Sequence, residues 1–362
     1  MRIQAAVLRG AHQPFVIEEI DLEAPGPGEA LVRVRGTGMC HTDLLARHAV
    51  PISLPTVFGH EGSGVIEAVG PGVTRVAVAD HVVMSYDSCG WCAQCLGGEP
   101  SYCDQFMQRN FLGRRTDNSG GAADRSGAPV GTRWFGQSSF ATHAIATERN
   151  LVKVDPSLPL ELLGPLGCGF QTGAGSVFNA LKVLPGSIMA VYGAGAVGLA
   201  AVMAAKVAGA SEIIAVDLHA KRRALAMELG ATRVFDGADP DVAAQVSGAC
   251  KQTGGANYAL DTTGVPSVIR LALSTLRIRG TCGLVAGAPE FALDVTTLVG
   301  RSVTLILEGD AVPQQFIPAL IRLWQAGRFP FDRLIRTYPL NAINDAERDS
   351  ASGETIKPVL LP

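Results

Sequence analysis

Residues 188–202 read I-M-A-V-Y-G-A-G-A-V-G-L-A-A-V, and this stretch decides the fold. Ile188–Tyr192 is a short apolar run with the composition of a buried strand, and from Ala196 the chain turns to alanine, leucine and valine at helical spacing. Between them sits a G-x-G-x-x-G motif, weak by itself but informative when a strand precedes it and a helix follows. Gly193 permits the sharp turn, Gly195 admits a pyrophosphate close to the backbone, and Gly198 lets helix and strand pack tightly, with Val197 inside the same turn. The first N–H groups of the helix would then face the phosphates. Asp217 ends the next apolar run. Its carboxylate would accept hydrogen bonds from the adenosine ribose and repel a 2′-phosphate, so NAD is expected over NADP. Arg222, close behind, favours a 2′-phosphate but does not sit at the strand end.

The second half of the chain continues this alternation. Expected strands are Ile188–Tyr192, Glu212–Val216, Arg233–Phe235, Tyr258–Leu260, Cys282–Val285 and Val303–Leu307, with helices over Ala196–Ala208, Lys221–Leu229 and Ser267–Leu276. Strands joined by helical crossovers predict a doubly wound parallel sheet, so the chain is of the α/β class. The first half has another texture. Apolar runs such as Ala5–Leu8, Phe15–Ile20, Ala30–Val34 and Gly64–Val69 are separated by Pro-Gly and Gly-Pro turns, the pattern of a β-barrel-like domain. The expected domains are 1–169 with 309–362, and 170–308, the tail packing back on the first. Gly113–Gly136 lacks a clear period and reads either as a lid or as a surface excursion.

The chain has 362 residues, enough for two cores, and a net charge of −3 that gives no general pull toward nucleic acid. No apolar run approaches the roughly 20 residues that span a bilayer. The N-terminal apolar stretch is too short for a signal peptide and reads as a strand. Eight cysteines without an export signal point to reduced thiols in a cytoplasm.

Four of those cysteines, Cys89, Cys92, Cys95 and Cys103, follow the spacing C-x2-C-x2-C-x7-C. Short loops between thiolates can close a tetrahedral shell around Zn²⁺ with no open position, a structural site in a lobe over about 88–104. The competing reading is two disulfides or scattered buried thiols. Two further cysteines belong to a different pattern. Cys40 in G-M-C-H-T-D, His60 in G-H-E-G and Cys168 in G-P-L-G-C-G form a Cys₂His set far apart in sequence, as catalytic zinc sites with an open position are built. Asp43 could orient His60 through its second ring nitrogen. Thr42 offers a hydroxyl two residues from a ligand, suited to receive an alcohol proton, and Glu61 could approach the metal during ligand exchange.

These motifs, in their order along essentially the whole chain and closing on S-G-x-x-I-K, resemble the zinc-containing medium-chain alcohol dehydrogenases. C-H-T-D, F-G-Q-S-S-F-A-T, G-P-L-G-C-G-F-Q-T-G-A-G and A-L-D-T-T-G-V-P bring the resemblance closest to bacterial aryl-alcohol (benzyl-alcohol) dehydrogenases. The resemblance implies a GroES-like catalytic domain plus a Rossmann domain, with homodimers or homotetramers assembled through the latter. It also implies two zinc ions per chain, one catalytic and one structural. His41 and Lys357 would reach the pyrophosphate and Thr172 would line the nicotinamide site. Many relatives carry a histidine five residues after the first zinc cysteine, as the outer end of a proton relay. Here that position is Leu45, an apolar substitution shared by the aryl-alcohol subgroup, so the relay would end on water. His48 is near in sequence but is expected on another face.

The function expected is reversible, zinc-dependent oxidation of a primary aromatic or bulky apolar alcohol to the aldehyde, with hydride passed to NAD. Tyr86, Phe111, Trp134 and Phe135 are the candidate pocket wall. The alternatives are a glutathione-dependent formaldehyde dehydrogenase, for which Arg114 and Arg115 would have to hold glutathione carboxylates, and a terpene or allylic alcohol dehydrogenase. No nucleic-acid or membrane partner is expected.

Overall fold

The computed structural model describes residues 1–44, 52–119, 121–286, 290 and 292–362. The chain divides into two compact units: Met1–Gly169 with Val312–Ala319 and Asp332–Pro362, and Phe170–Ala311 with Leu320–Phe331. The tail is therefore split, contrary to the expectation that 309–362 stays whole. Leu320, Phe329 and Phe331 are fully buried, and Phe331 packs on Phe170 at 5.5 Å between ring centroids. That apolar area draws Leu320–Phe331 to the second unit.

In the second unit every residue of Ile188–Tyr192 is buried, as a central parallel strand requires. Its parallel neighbours are Glu212–Asp217 on one side and Ala256–Asp261 on the other. The sheet continues to Arg233–Asp236 beyond the first and to Leu276–Leu284 and Ser302–Leu305 beyond the second. The spatial order is thus 3-2-1-4-5-6 in chain order of these strands, the doubly wound arrangement. The helix Ala196–Ala208 packs Leu199–Ala205 against the sheet and ends on Gly209 at φ 82, the left-handed cap that glycine adopts without strain. One expected helix runs too far. Pro266–Ser274 stops at Thr275, and Leu276 instead opens a strand, paired with Ala256 and 1% exposed. The periodicity of the two segments is continuous, so only pairing in the sheet separates them.

The first unit is built from largely antiparallel sheets, with Ile335–Pro339 running parallel to Lys357–Leu361. Arg2–Leu8 pairs with Val16–Leu22 from Arg2↔Asp21 to Val7↔Val16. Glu29–Gly38 pairs with Glu61–Val69 and, at its end, with the C-terminal strand Lys357–Leu361 through Val359↔Gly38. That last pairing carries Lys357 from the end of the chain to the segment that holds Cys40. The described part of Gly113–Gly136 is a short ribbon, Ala122–Ala123 with Pro129–Val130, added to the edge of Val16–Leu22. Its two ends are tied down by charge: Arg115 and Arg133 both reach Glu29 and Glu23. Ala122–Val130 thus extends the sheet, while Trp134–Gly136 forms a short turn against His60. No helix among the described residues is long and apolar enough to cross a membrane.

Candidate active site

The first unit gathers two separate clusters of metal-ligating side chains, and in each the ligand atoms lie within 4.8 Å of one another. In the lobe, Cys89 and Cys95 Sγ are 3.9 Å apart and Cys92 and Cys103 Sγ 4.0 Å. A tetrahedral ion with Zn–S near 2.3 Å places its sulfurs roughly 3.8 Å apart, whereas a disulfide needs about 2.05 Å. All eight cysteines are free, which removes the disulfide reading. The backbone is shaped for anionic sulfur: the N–H groups of Trp91 and Cys92 donate to Cys89 Sγ, and those of Cys89 and Gln105 to Cys103 Sγ. Backbone N–H groups of Cys95 and Asp104 bring the Cys92 thiol down to about 6, while burial pushes Cys103 up to about 12. Four sulfurs this close would repel as thiolates without a cation between them, so the donor set fits Zn²⁺.

The second cluster is Cys40, His60, Glu61 and Cys168. Three chain segments meet there: the end of Glu29–Gly38, the start of Glu61–Val69, and the turn Gly164–Gly167. His60 Nε2 lies 3.2 Å from Cys168 Sγ, and Thr42 Oγ1 lies 3.7 Å from Cys40 Sγ. A hydrogen bond with Cys168, opposed by burial and helped by His60, holds the Cys40 thiol well below its ordinary range. Two sulfurs and one imidazole nitrogen in a buried place are the donor chemistry of a three-ligand zinc site. Glu61 is fully buried and its carboxylate is occupied. Lys357 Nζ donates to both its oxygens at 2.8 Å, and the Gly169 N–H donates to Oε1 at 3.0 Å. Lys357 is 3% exposed and also donates to the Met39 carbonyl, so its ammonium is committed to Glu61. Burial alone would lower the Lys357 pKa, but Glu61 outweighs it and raises it. A lone lysine in the apolar C-terminal stretch was the sequence signal for this pair.

Asp43 is buried and serves two of the three ligand segments. Its Oδ1 accepts from His60 Nδ1 at 2.7 Å and the Gly59 N–H at 3.1 Å, and its Oδ2 from the Cys40 N–H at 3.1 Å. Of the four aromatics expected to wall a pocket, Tyr86, Trp134 and Phe135 are buried and Phe111 half-buried. They belong to one continuous cluster with Phe58 and Phe106, and Phe135 stacks on the His60 ring at 4.3 Å. Gln137, which sequence reasoning missed, donates to the His60 carbonyl at 2.9 Å. A buried glutamine in F-G-Q-S-S-F was its only signal. His41 is exposed, while Leu45 and His48 lie outside the described residues.

The glycine loop of the second unit has a distinct need at each glycine. Gly193 sits at φ 93, and a Cβ there would come within 2.4 Å of Thr262 Oγ1. A Cβ on Gly198 would fall 1.8 Å from the Gly193 carbonyl oxygen, the close helix–strand approach. Gly195, at the helix start, faces open space, a cradle that a phosphate fits. Asp217 Oδ2 accepts from the Ala194 N–H at 2.7 Å and Oδ1 from the His219 N–H at 2.8 Å, which fixes the carboxylate beside the loop. Arg222 is half-buried, and its Nε has no partner among the described residues. Thr172 lies in the helix Gly169–Gly175 and is 9% exposed.

Comparison with known proteins agrees with this architecture. Residues 26–156 match the alcohol dehydrogenase GroES-like domain, and residues 196–325 match the zinc-binding dehydrogenase domain. The chain is 47% identical over 364 aligned residues to a geraniol dehydrogenase from Castellaniella defragrans, covering 99% of this chain and 97% of that protein. Among solved structures, it is 45% identical to the benzyl alcohol dehydrogenase of Acinetobacter calcoaceticus, with a TM-score of 0.95 over 100% of this chain and 99% of that one. A zinc-binding-domain alcohol dehydrogenase from Burkholderia ambifaria matches at 50% identity and a TM-score of 0.96, over 100% and 99% of the two chains. With both domain models matched in order and full-length relatives at this identity, the chain belongs to the zinc-containing medium-chain alcohol dehydrogenases, a GroES-like domain joined to a Rossmann domain.

Proposed function

We propose that this alcohol dehydrogenase reversibly oxidises a primary alcohol whose carbinol carbon adjoins an sp² carbon, benzylic or allylic, using NAD. The observation that carries the reading is the Cys40–His60–Cys168 donor set, walled on one side by the Phe135 ring that stacks on His60. The names of the relatives, geraniol and benzyl alcohol dehydrogenases, share that feature of the alcohol. Cys40, His60 and Cys168 would hold a catalytic zinc, Cys89, Cys92, Cys95 and Cys103 a structural one, and Gly193, Gly195, Val197, Gly198, Asp217 and Thr172 the dinucleotide. Bound there, zinc supplies Lewis acidity to an alcohol oxygen and NAD supplies the hydride acceptor.

The chain's own residues do the rest. The Thr42 hydroxyl takes the alcohol proton and passes it to water, there being no histidine at position 45. Phe135, with Phe111 beside it, keeps water from the carbinol carbon and gives an aromatic or alkenyl substituent an apolar surface. The Asp217 carboxylate orients the adenosine ribose and repels a 2′-phosphate. Lys357, buried against Glu61, holds that carboxylate beside the metal ligands; its reach to a pyrophosphate would need this pair to open.

The glutathione reading loses support, because Arg115 is spent on Glu23 and Glu29, leaving exposed Arg114 alone. The free thiols suit a reducing cytoplasm. Association of two copies has its support in the edge strand Ser302–Leu305, exposed at every residue, with Val295 and Val299 also 75% and 66% exposed. A steady-state panel of benzyl alcohol, geraniol, ethanol and S-hydroxymethylglutathione with NAD and NADP tests the substrate and cofactor. Benzyl alcohol and geraniol with NAD are expected to give the highest kcat/KM; a preference for ethanol or the glutathione adduct overturns the reading.

A further inference from the structure

The segment Trp134-Phe135-Gly136-Gln137-Ser138 touches His60 from three directions. The Trp134 indole N–H donates to Asp43 Oδ1 at 2.9 Å, the same oxygen that accepts from His60 Nδ1. The Phe135 ring lies on the imidazole face, 23° from parallel. Gln137 Nε2 donates to the His60 carbonyl, and its Oε1 accepts from the Gly62 N–H at 3.1 Å, bracketing the backbone on both sides of Glu61. This grip is held at a cost. Phe135 and Ser138 sit at φ 50 and φ 51, left-handed conformations that are unfavourable for residues with side chains. The surroundings overrule that strain: Trp134 N–H donates to Ser138 Oγ, and Ser138 Oγ donates to the Val57 carbonyl. Trp134 itself is fully buried, edge-on to Phe58 at 5.0 Å and to Phe111 at 5.3 Å.

We infer that Trp134 is a positioning residue for the metal ligand His60, acting through its indole N–H on Asp43, and is not part of the substrate wall. Among the described residues Asp43 accepts four hydrogen bonds, from Gly59, His60, Cys40 and Trp134. Three come from two of the three segments that carry the ligands. Trp134 alone of the four comes from elsewhere in the chain, so it anchors the carboxylate to a segment that carries no ligand. In a dry site the carboxylate loses both a satisfied lone pair and its external anchor when that donor goes. Groups that orient a ligating histidine change metal affinity by about 10- to 100-fold. Trp134 stands one bond further out, so about 10-fold is expected.

The inference rests on the zinc reading of this site, and the test separates the two. Purified holoenzyme of wild type and Trp134→Phe is exposed to a chromogenic chelator, and the release of each zinc is timed. The four-cysteine zinc in the same molecule is the internal reference. Trp134→Phe is expected to release the Cys40–His60–Cys168 zinc about 10-fold faster and the lobe zinc at the wild-type rate. Should the phenylalanine variant not fold, benzothienylalanine installed at position 134 replaces only the N–H by sulfur and keeps the ring shape. Two zincs leaving both proteins at equal rates overturn the role of Trp134 while leaving the metal reading intact. Wild type carrying one zinc overturns the metal reading and this inference together.

Discussion

Thr42 and Asp217 are single residues on which the proposed chemistry turns. Thr42 Oγ1 lies 3.7 Å from Cys40 Sγ, and on the proposed mechanism it takes the alcohol proton. Thr42→Val keeps the shape and removes the relay, so kcat is expected to fall by at least about 10²-fold, the lower range for lost acid–base assistance. Thr42→Ser should retain turnover. Stopped-flow and steady-state rates across pH check this, and unchanged turnover in Thr42→Val would place the proton path elsewhere. Asp217 meets the glycine loop through the Ala194 N–H. Asp217→Gly removes the repulsion toward a 2′-phosphate while Arg222 stays, so the NAD-to-NADP ratio of kcat/KM should narrow. A wild type equally efficient with NADP would show that the carboxylate does not set the choice.

At the scale of elements, two local devices hold the first unit, and they fail differently. The lobe around Cys89–Cys103 buries little of its large apolar side chains: Trp91 and Leu96 are 62% and 75% exposed. On the proposed reading its order comes from a zinc held by the four sulfurs. Cys95→Ser should therefore yield a destabilised, aggregating protein, whereas Cys168→Ser should abolish turnover and leave the lobe zinc and the fold. Elemental analysis with thermal unfolding reads both, and equal melting of the two variants counts against separate roles. The ribbon over 113–136 depends instead on Glu29. Burial pushes the Glu29 pKa up, but the Arg115 hydrogen bond and the Arg133 charge outweigh it and leave it lowered. A depressed carboxyl stabilises the fold above its unfolded pKa and loses that contribution as pH falls through the folded value. Wild-type Tm should thus drop more steeply than that of Glu29→Gln as the pH falls below about 4.5. At neutral pH Glu29→Gln should be the less stable, because it leaves Arg133, 5% exposed, short of a counter-charge, with a cost on the order of 3 kcal/mol. Parallel Tm–pH slopes would remove Glu29 from this role.

Across the whole molecule, the Ser302–Leu305 edge is the surface where a second copy is expected. Val303→Lys puts a charge at the centre of that edge, so light scattering should show a shift toward monomer with the zinc content unchanged. An unaltered mass would move the association elsewhere. Much of this protein was already written in local sequence. The glycine loop, its strand and its helix are legible because Gly193 and Gly198 answer steric demands set by the turn itself, as the crowding that a side chain would meet there bears out. The two sets of metal ligands are legible because thiol and imidazole chemistry is specific to few residues. Other features come from chain segments that no short-range pattern links. The break between Ser274 and Leu276 depends on a parallel partner at Ala256, and the division of the tail at Leu320 on Phe170. Lys357 becomes the partner of Glu61 only when the last strand pairs beside Gly38. Trp134 read as an aromatic wall because sequence registers a ring's apolarity, while the use of its N–H depends on where Asp43 lies. Local chemistry is set by residue type and spacing, but a buried polar atom's partner is chosen by the fold that surrounds it.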